Sequence, residues 1–206
     1  MTNSSNQASA NVMALVLAAG QSRRFGSDKR RVVMPDGGLL INAIVRRLRK
    51  AGVPARVALP VDDPIALECE GEYIFCPDAA KGMGHTIASG VIQLQQCSDL
   101  QAIMIMPVDL PLIRVSTLRA IAKAAEQESI VVPISNRRHG HPVCFGRAFF
   151  PLLTQLQGDE GAKKIIRGSQ NNVVTLAVDD PGIYEDGDEP QAMAALIGRL
   201  NRGQYT

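Results

Sequence analysis

Short apolar runs alternate with amphipathic stretches along this chain of 206 residues. The run 12–18 (VMALVLA) is continuously apolar and ends in small residues and a polar loop. That pattern predicts a strand buried on both faces. Leu40, Ile44, Val45 and Leu48 recur at helical spacing, which predicts a helix over about 39–50, stopped by Gly52 and Pro54. Further apolar runs at 57–61, 102–106, 130–133, 143–145 and 173–178 predict strands. Helical patterns fall between them, at about 87–95, 115–126, 148–156 and 189–201. The alternation predicts a mostly parallel sheet with helices on both faces. Ligands in such sheets bind at the carboxyl ends of strands, near a switch point. Two polar loops lie at such ends, after Ala18 and after Met106.

Composition narrows the class. Apolar residues make up 46% and charged residues 20%, an ordinary globular mixture. The net charge of +2 lacks the basic excess of a general nucleic-acid binder. No apolar run approaches the ~18 residues of a membrane span. Residues 1–10 are small and polar, without the regions of a signal peptide, and are expected to be a disordered leader. One domain is expected over 11–206, in a cytoplasmic protein. Cys69, Cys76, Cys97 and Cys144 are scattered with no CxxC pair, so reduced core cysteines are expected.

The loop after the first run reads Leu17-Ala18-Ala19-Gly20-Gln21-Ser22-Arg23-Arg24-Phe25-Gly26-Ser27-Asp28-Lys29. Small residues at 18–20 let a ligand approach the backbone, and successive N–H groups in such a turn can cradle an anion. Arg24 and Lys29 add positive charge, so the loop suits a triphosphate; the bland alternative is a solvated basic loop. It is neither a Walker loop nor GxGxxG. Asp109, between Pro107 and Pro111, is either a Mg2+ ligand or a helix cap. Asp188, before Pro190, carries the same two readings. Lys81-Gly82-Met83-Gly84-His85-Thr86 opens a helix, where electronegative groups bind; His85 otherwise reads as a cap or surface residue. His139-Gly140-His141 is weak as a zinc pair because no further ligand lies near it. Asp159 in Gly158-Asp159-Glu160-Gly161-Ala162-Lys163 reads either as a helix N-cap or as a pocket residue.

The run LAAGxSxRxGxxK resembles the signature of the nucleotidyltransferases that activate sugars, isoprenoid precursors and the molybdenum cofactor, with Phe25 where Met is usual. Pro107-Val108-Asp109-Leu110-Pro111 resembles that superfamily's D-x-P segment, and Asp186-Gly187-Asp188 its DxDTP segment, with Glu189 in place of Thr. Residues 82–90 resemble GMSxSLxxG. Gly140-His141-Pro142-Val143-Cys144-Phe145 and the later Gly158–Lys163 run resemble GHPxxF and GDxGAR of the molybdopterin cytidylyltransferase branch, with Lys163 in place of Arg. The likeness extends over nearly all of the chain beyond the polar leader.

The resemblance implies a three-layer α/β/α, Rossmann-like fold of the nucleotide-diphospho-sugar transferase type. It implies transfer of CMP from CTP to the terminal phosphate of molybdopterin, with Mg2+ and release of pyrophosphate. Arg24, Lys29 and Asp109 would be catalytic. Leu17, Ala18, Ala19, Gly20, Gly82, Gly84 and Thr86 would join Arg24 and Lys29 in binding nucleotide. His141, Pro142 and Asp159 would meet the pterin substrate, and Asp109 and Asp188 would hold the metal. The choice of CTP follows Ala19, since the guanylyl branch more often carries LAGG. A guanylyltransferase, a transferase acting on another phosphorylated small molecule, and a non-catalytic carrier of nucleotide or cofactor are the alternatives. The resemblance also suggests a molybdenum hydroxylase as recipient of the product.

Overall fold

The computed structural model describes residues 12–20, 22 and 24–202. The expected leader at 1–10 lies outside the described residues. Among the described residues, eight strands form one sheet: β1 (Val12–Leu17), β2 (Ala55–Leu59), β3 (Glu72–Phe75), β4 (Ala102–Pro107), β5 (Ile130–Ser135), β6 (Arg138–His139), β7 (Val143–Gly146) and β8 (Val173–Ala177). The order is β3-β2-β1-β4-β7-β5-β6, with β8 also paired to β5. Strands β1 to β4 are parallel to one another, as expected. Beyond β4 the sheet is mixed. Strand β7 enters antiparallel between β4 and β5, and β6 returns antiparallel on β5. Only two residues, Asn136 and Arg137, connect β5 to β6, and both have positive φ. A connection that short can only be a hairpin, so this half departs from the parallel pattern.

Alternation along each strand divides the core in two. Val12, Ala14 and Val16 of β1, with Ala102, Met104 and Met106 of β4, face α1 (Leu40–Ala51), α3 (Val115–Ala124) and α6 (Pro190–Asn201). Leu15, Ile103 and Ile105 face α2 (Met83–Leu94), α4 (Phe150–Leu153) and α5 (Lys163–Gly168). Strands that are apolar on both faces therefore have helices on both. Leu15, Ile44, Leu48 and Phe145 are fully buried. Each such side chain contributes about 1.5–3 kcal/mol through removal from water.

The sequence places most elements well, with several differences, among them β6 and α5, which the apolar pattern does not predict, and β2, which lies two residues earlier than expected. Strand β3 was not expected: Glu72, Tyr73 and Phe75 are exposed at the sheet edge, so the segment carries little apolar signal. Helix α2 begins at Met83, four residues before the expected start. The helix expected near 148–156 is a 3-10 turn at Arg147–Phe149 followed by the four-residue α4, which Pro151 opens. Cys76 and Cys144 are buried, but Cys69 is only half-buried and Cys97 is exposed in the turn after α2. All four are free thiols, and burial pushes Cys144 up to about 12.

Candidate active site

A cleft of about 430 Å3 opens at the carboxyl ends of β1 and β4. Leu17, Ala18, Ala19, Gly20 and Ser22 line one wall, and Pro107, Val108 and Asp109 line another. The 79–83 segment, Thr86 and Asp159 close the far side. The two loops are joined directly, because the Val108 N–H donates to the Leu17 carbonyl; the Ala18 N–H donates to the Ala58 carbonyl of β2.

Asp109 is held by its neighbours. Val108, Leu110, Leu112 and Ile113 are all buried, so the loop is anchored on both sides of the carboxylate. Arg47 of α1 donates from beneath to the carbonyls of Pro111 and Ile113. The C-terminal arm is pinned at the same place, because the Gly187 N–H donates to the Asp109 carbonyl at 2.9 Å. That bond sets Asp188 beside Asp109.

The Lys29 ammonium lies between the two carboxylates. It is 2.6 Å from Asp109 Oδ2 and 3.2 Å from Asp188 Oδ1. Arg24, on the rim, reaches Asp188 Oδ2 at 3.0 Å. The Lys29 and Asp109 side chains are 15% and 13% exposed, which strengthens their mutual attraction over that of a surface pair. Burial opposes the charge on Lys29, but Asp109 and Asp188 outweigh it and hold the ammonium above the usual lysine range. Burial likewise opposes ionisation of Asp188, yet Lys29 and Arg24 hold its carboxyl below the usual range. Burial, with the charges of Asp188 and Asp109, pushes Asp186 upward.

The Gly-rich segment folds against the loop after α4. Gly82 has φ +123, and a Cβ there would meet Asp159 Oδ1 at 2.4 Å. Gly84 is buried: its N–H donates to the Gly158 carbonyl at 2.7 Å, and a Cβ would strike the Gln157 backbone. Glycine is required at both positions. His85 Nδ1 accepts from the Gly158 N–H at 3.1 Å, which ties α2 to that loop. Asp159 lines the cleft, while Ala162 occupies the N-cap position of α5.

Gly84, His141 and Pro142 do not line this cleft, and Arg24 lies at its edge. His141 precedes Pro142 through a cis peptide bond, and its N–H donates to the Ile183 carbonyl at 2.6 Å. Its Nδ1 atom is buried with no hydrogen-bond partner. Burial lowers the imidazole pKa against the opposing pull of Asp109, which favours the neutral ring.

Sequence reasoning did not single out Arg30, Ala79, Ala80 or Met83, all of which line the cleft. Ala79 and Ala80 carry no chemical signal. Arg30 is hidden in the basic run Lys29-Arg30-Arg31.

The carboxylates suit a hard cation. Asp109 and Asp188 already share one cation, the Lys29 ammonium, and Mg2+ takes one or two protein carboxylates with phosphates and waters. Among the described residues no cluster of three or more His, Cys, Asp or Glu side chains has the arrangement of a metal site. No described helix is long and apolar enough to cross a membrane.

Known proteins resemble this chain in sequence and fold. The purine catabolism protein PucB of Bacillus subtilis is 29% identical over 193 residues, spanning 87% of this chain and 93% of PucB. The crystal structure of Rv0371c from Mycobacterium tuberculosis superposes with a TM-score of 0.79 at 26% identity, over 91% of this chain and 97% of that one. A complex of Rv0371c with manganese aligns at 0.75 and 24%, over 91% and 98%. Molybdopterin-guanine dinucleotide biosynthesis protein A of Archaeoglobus fulgidus shares the fold at 0.65 and 15%, over 92% and 99%. Residues 14–183 match the MobA-like NTP transferase domain. This chain belongs to that family, and it is a nucleotidyltransferase.

Proposed function

We propose that the protein transfers CMP from CTP to the terminal phosphate of molybdopterin, releasing pyrophosphate. The observation that carries this reading is the Lys29 ammonium held between Asp109 and Asp188 beside a cleft floored by small residues. The cleft thus offers cations for a triphosphate and carboxylates for a divalent cation within one ion-pair network.

In this reading the phosphate of the acceptor attacks the α-phosphorus of CTP. The new P–O bond forms as the bond to the β-phosphate oxygen breaks, and pyrophosphate carries away the charge. The nucleophile is already an anion at neutral pH, so no protein base is needed. Catalysis is positioning and charge neutralisation. Lys29 and Arg24 exchange their carboxylate partners for phosphate oxygens. The backbone at Leu17–Gly20 lets the nucleotide approach closely, Gly82 and Thr86 bound its other side, and Asp159 lines the same cleft toward the acceptor. Asp109 and Asp188 would hold Mg2+, which would supply neutralisation of phosphate charge. Gly84 shapes the segment from beneath rather than at the cleft wall.

Molybdopterin as acceptor is supported by the His141-Pro142 turn. That support is the likeness of Gly140–Phe145 to the GHPxxF segment of the cytidylyltransferase branch; the His141 Nδ1 atom itself is buried without a hydrogen-bond partner. The molybdopterin-related name of one fold neighbour points the same way. CTP rests on Ala19, which is buried in the loop where the guanylyl branch more often has glycine.

The test is pyrophosphate release with Mg2+ and molybdopterin, with CTP and GTP in parallel. Release with CTP alone supports the reading. Release with GTP alone keeps the chemistry and overturns the base. A folded protein that binds nucleotide but releases nothing with either overturns the acceptor.

A further inference from the structure

Arg30 lies beside the ammonium-bearing residue and lines the same cleft, yet its charge faces away from any phosphate role. Its Nε donates to Asp28 Oδ1 at 2.7 Å. Its Nη2 donates to Asp28 Oδ2 at 2.8 Å and Asp63 Oδ1 at 3.3 Å. Its Nη1 donates to Asp63 Oδ2 at 2.5 Å and the Ala18 carbonyl at 2.9 Å. A guanidinium has five N–H donors, and all five are engaged. The side chain is 12% exposed, and two carboxylates outweigh its single charge.

The three partners belong to three separate segments. Ala18 ends β1 in the small-residue wall of the cleft. Asp28 caps the 3-10 turn Lys29–Arg31, accepting also from the Arg30 N–H. Asp63 caps the 3-10 turn Pro64–Leu67 after β2, accepting from the Ile65 N–H. Lys29 stands between Asp28 and Arg30 in sequence, so its backbone is fastened on both sides by one planar group.

We propose that Arg30 is a positioning residue for Lys29: it fixes the Asp28–Arg31 turn to the Ala18 carbonyl and to Asp63, and so sets where the Lys29 ammonium stands in the cleft. The inference rests on the nucleotidyl-transfer reading only for what Lys29 does there. Lysine cannot replace the clamp, because a tetrahedral ammonium with three donors cannot span two carboxylates and a carbonyl in one plane.

The experiment compares wild type, Arg30→Lys and Asp63→Asn. Asp63→Asn keeps an N-cap acceptor and serves if the arginine variant folds poorly. The first readout needs no ligand: acylation of Lys29 by an acetyl N-hydroxysuccinimide ester, followed by peptide mass spectrometry against exposed Lys50. The clamp predicts several-fold faster labelling of Lys29 relative to Lys50 in both variants, with the melting temperature largely kept. Unchanged relative labelling overturns it. The second readout is a double-mutant cycle with Lys29→Met, in turnover and in CTP binding. A misplacement of about 1 Å costs on the order of 100-fold in rate. The expectation for Arg30→Lys is a loss of up to that size in kcat, and less than about twofold further loss in the Lys29→Met background. An equal loss in both backgrounds means that Arg30 acts apart from Lys29. Wild type inactive with every nucleotide would sink the functional reading, while the labelling result still decides the clamp.

Discussion

Lys29 Nζ stands 2.6 Å from Asp109 Oδ2, although the two residues are 80 positions apart in the chain. Each comes from a loop at the carboxyl end of a strand, β1 for the lysine and β4 for the aspartate, and those strands are adjacent and parallel. The register sets Leu17 against Pro107, so the two loops leave the sheet at the same level. The ion pair is therefore a consequence of the sheet topology. It also means that the cation suited to phosphate and the carboxylates suited to a metal neutralise one another in the absence of ligands.

Metal and nucleotide should consequently assist one another in binding. Mn2+ alone must displace the Lys29 ammonium, whereas a triphosphate draws that ammonium away. Lys29→Met is expected to bind Mn2+ without nucleotide at least about tenfold tighter than wild type, equal to about 1.4 kcal/mol. Titration of free Mn2+ by electron paramagnetic resonance reads this directly. Weaker binding to the variant would mean that Lys29 does not compete for the carboxylates.

Asp109→Asn should lower turnover by about 100- to 1,000-fold, the size of loss when one preorganised electrostatic group is removed. Its backbone anchors, from Gly187 and the buried neighbours, stay in place. The melting temperature is expected to move by only a few degrees. Normal Mg2+-dependent activity in this variant would remove Asp109 from the metal site.

Asp180 is a structural carboxylate. It is fully buried and accepts from the Arg114 N–H, the Thr117 hydroxyl and the Gly182 N–H. Asp180→Ala leaves those donors unpaired, at about 1–3 kcal/mol for each buried group stranded. A clear fall in the urea midpoint is expected. Loss of activity should follow even at temperatures where the variant stays folded, because the arm carrying Asp188 begins there. A variant as stable as wild type would contradict this account.

Acid should weaken the Arg30 clamp. Burial acts to raise the Asp28 pKa, but Arg30 and Arg31 outweigh it and hold the carboxyl below the usual range. A lowered folded pKa gives stability that is complete above the unfolded value of about 3.9 and is lost as pH falls through the folded value. Asp28→Asn lacks that contribution at neutral pH. The difference in unfolding free energy between wild type and Asp28→Asn should shrink as pH falls below about 4. A difference that stays constant from pH 7 to pH 3 would contradict the pairing.

Much of this was legible before the structure. Strand β1, the helix after it, β4 and the C-terminal helix follow from apolar spacing, because each buries a full face or stripe. Asp109 stands out as a carboxylate directly after a buried strand, Arg24 and Lys29 as charges in a small-residue loop after one, and Asp188 through the likeness of its segment to DxDTP. The edge strand β3 was hidden for the opposite cause: only Ile74 in it turns even partly inward. Strand β7 was expected, but its antiparallel direction was hidden, since direction leaves no mark on an apolar run of four residues. Arg30 reads as one member of a basic run, and its partner Asp63 is 33 positions away. Gly84 is singled out in the sequence by the likeness of its segment to GMSxSLxxG, and its packing against the Gln157 backbone leaves no mark in the sequence.

The central claim is tested most directly by following the α-phosphorus. CTP labelled at that atom is incubated with Mg2+, molybdopterin and the protein, and the product is separated. The account predicts that label moves into a cytosine dinucleotide of the pterin in equal amount to pyrophosphate released, and that Asp109→Asn stops both. Label recovered as free CMP, or as unchanged CTP beside a protein that binds it, would contradict the account.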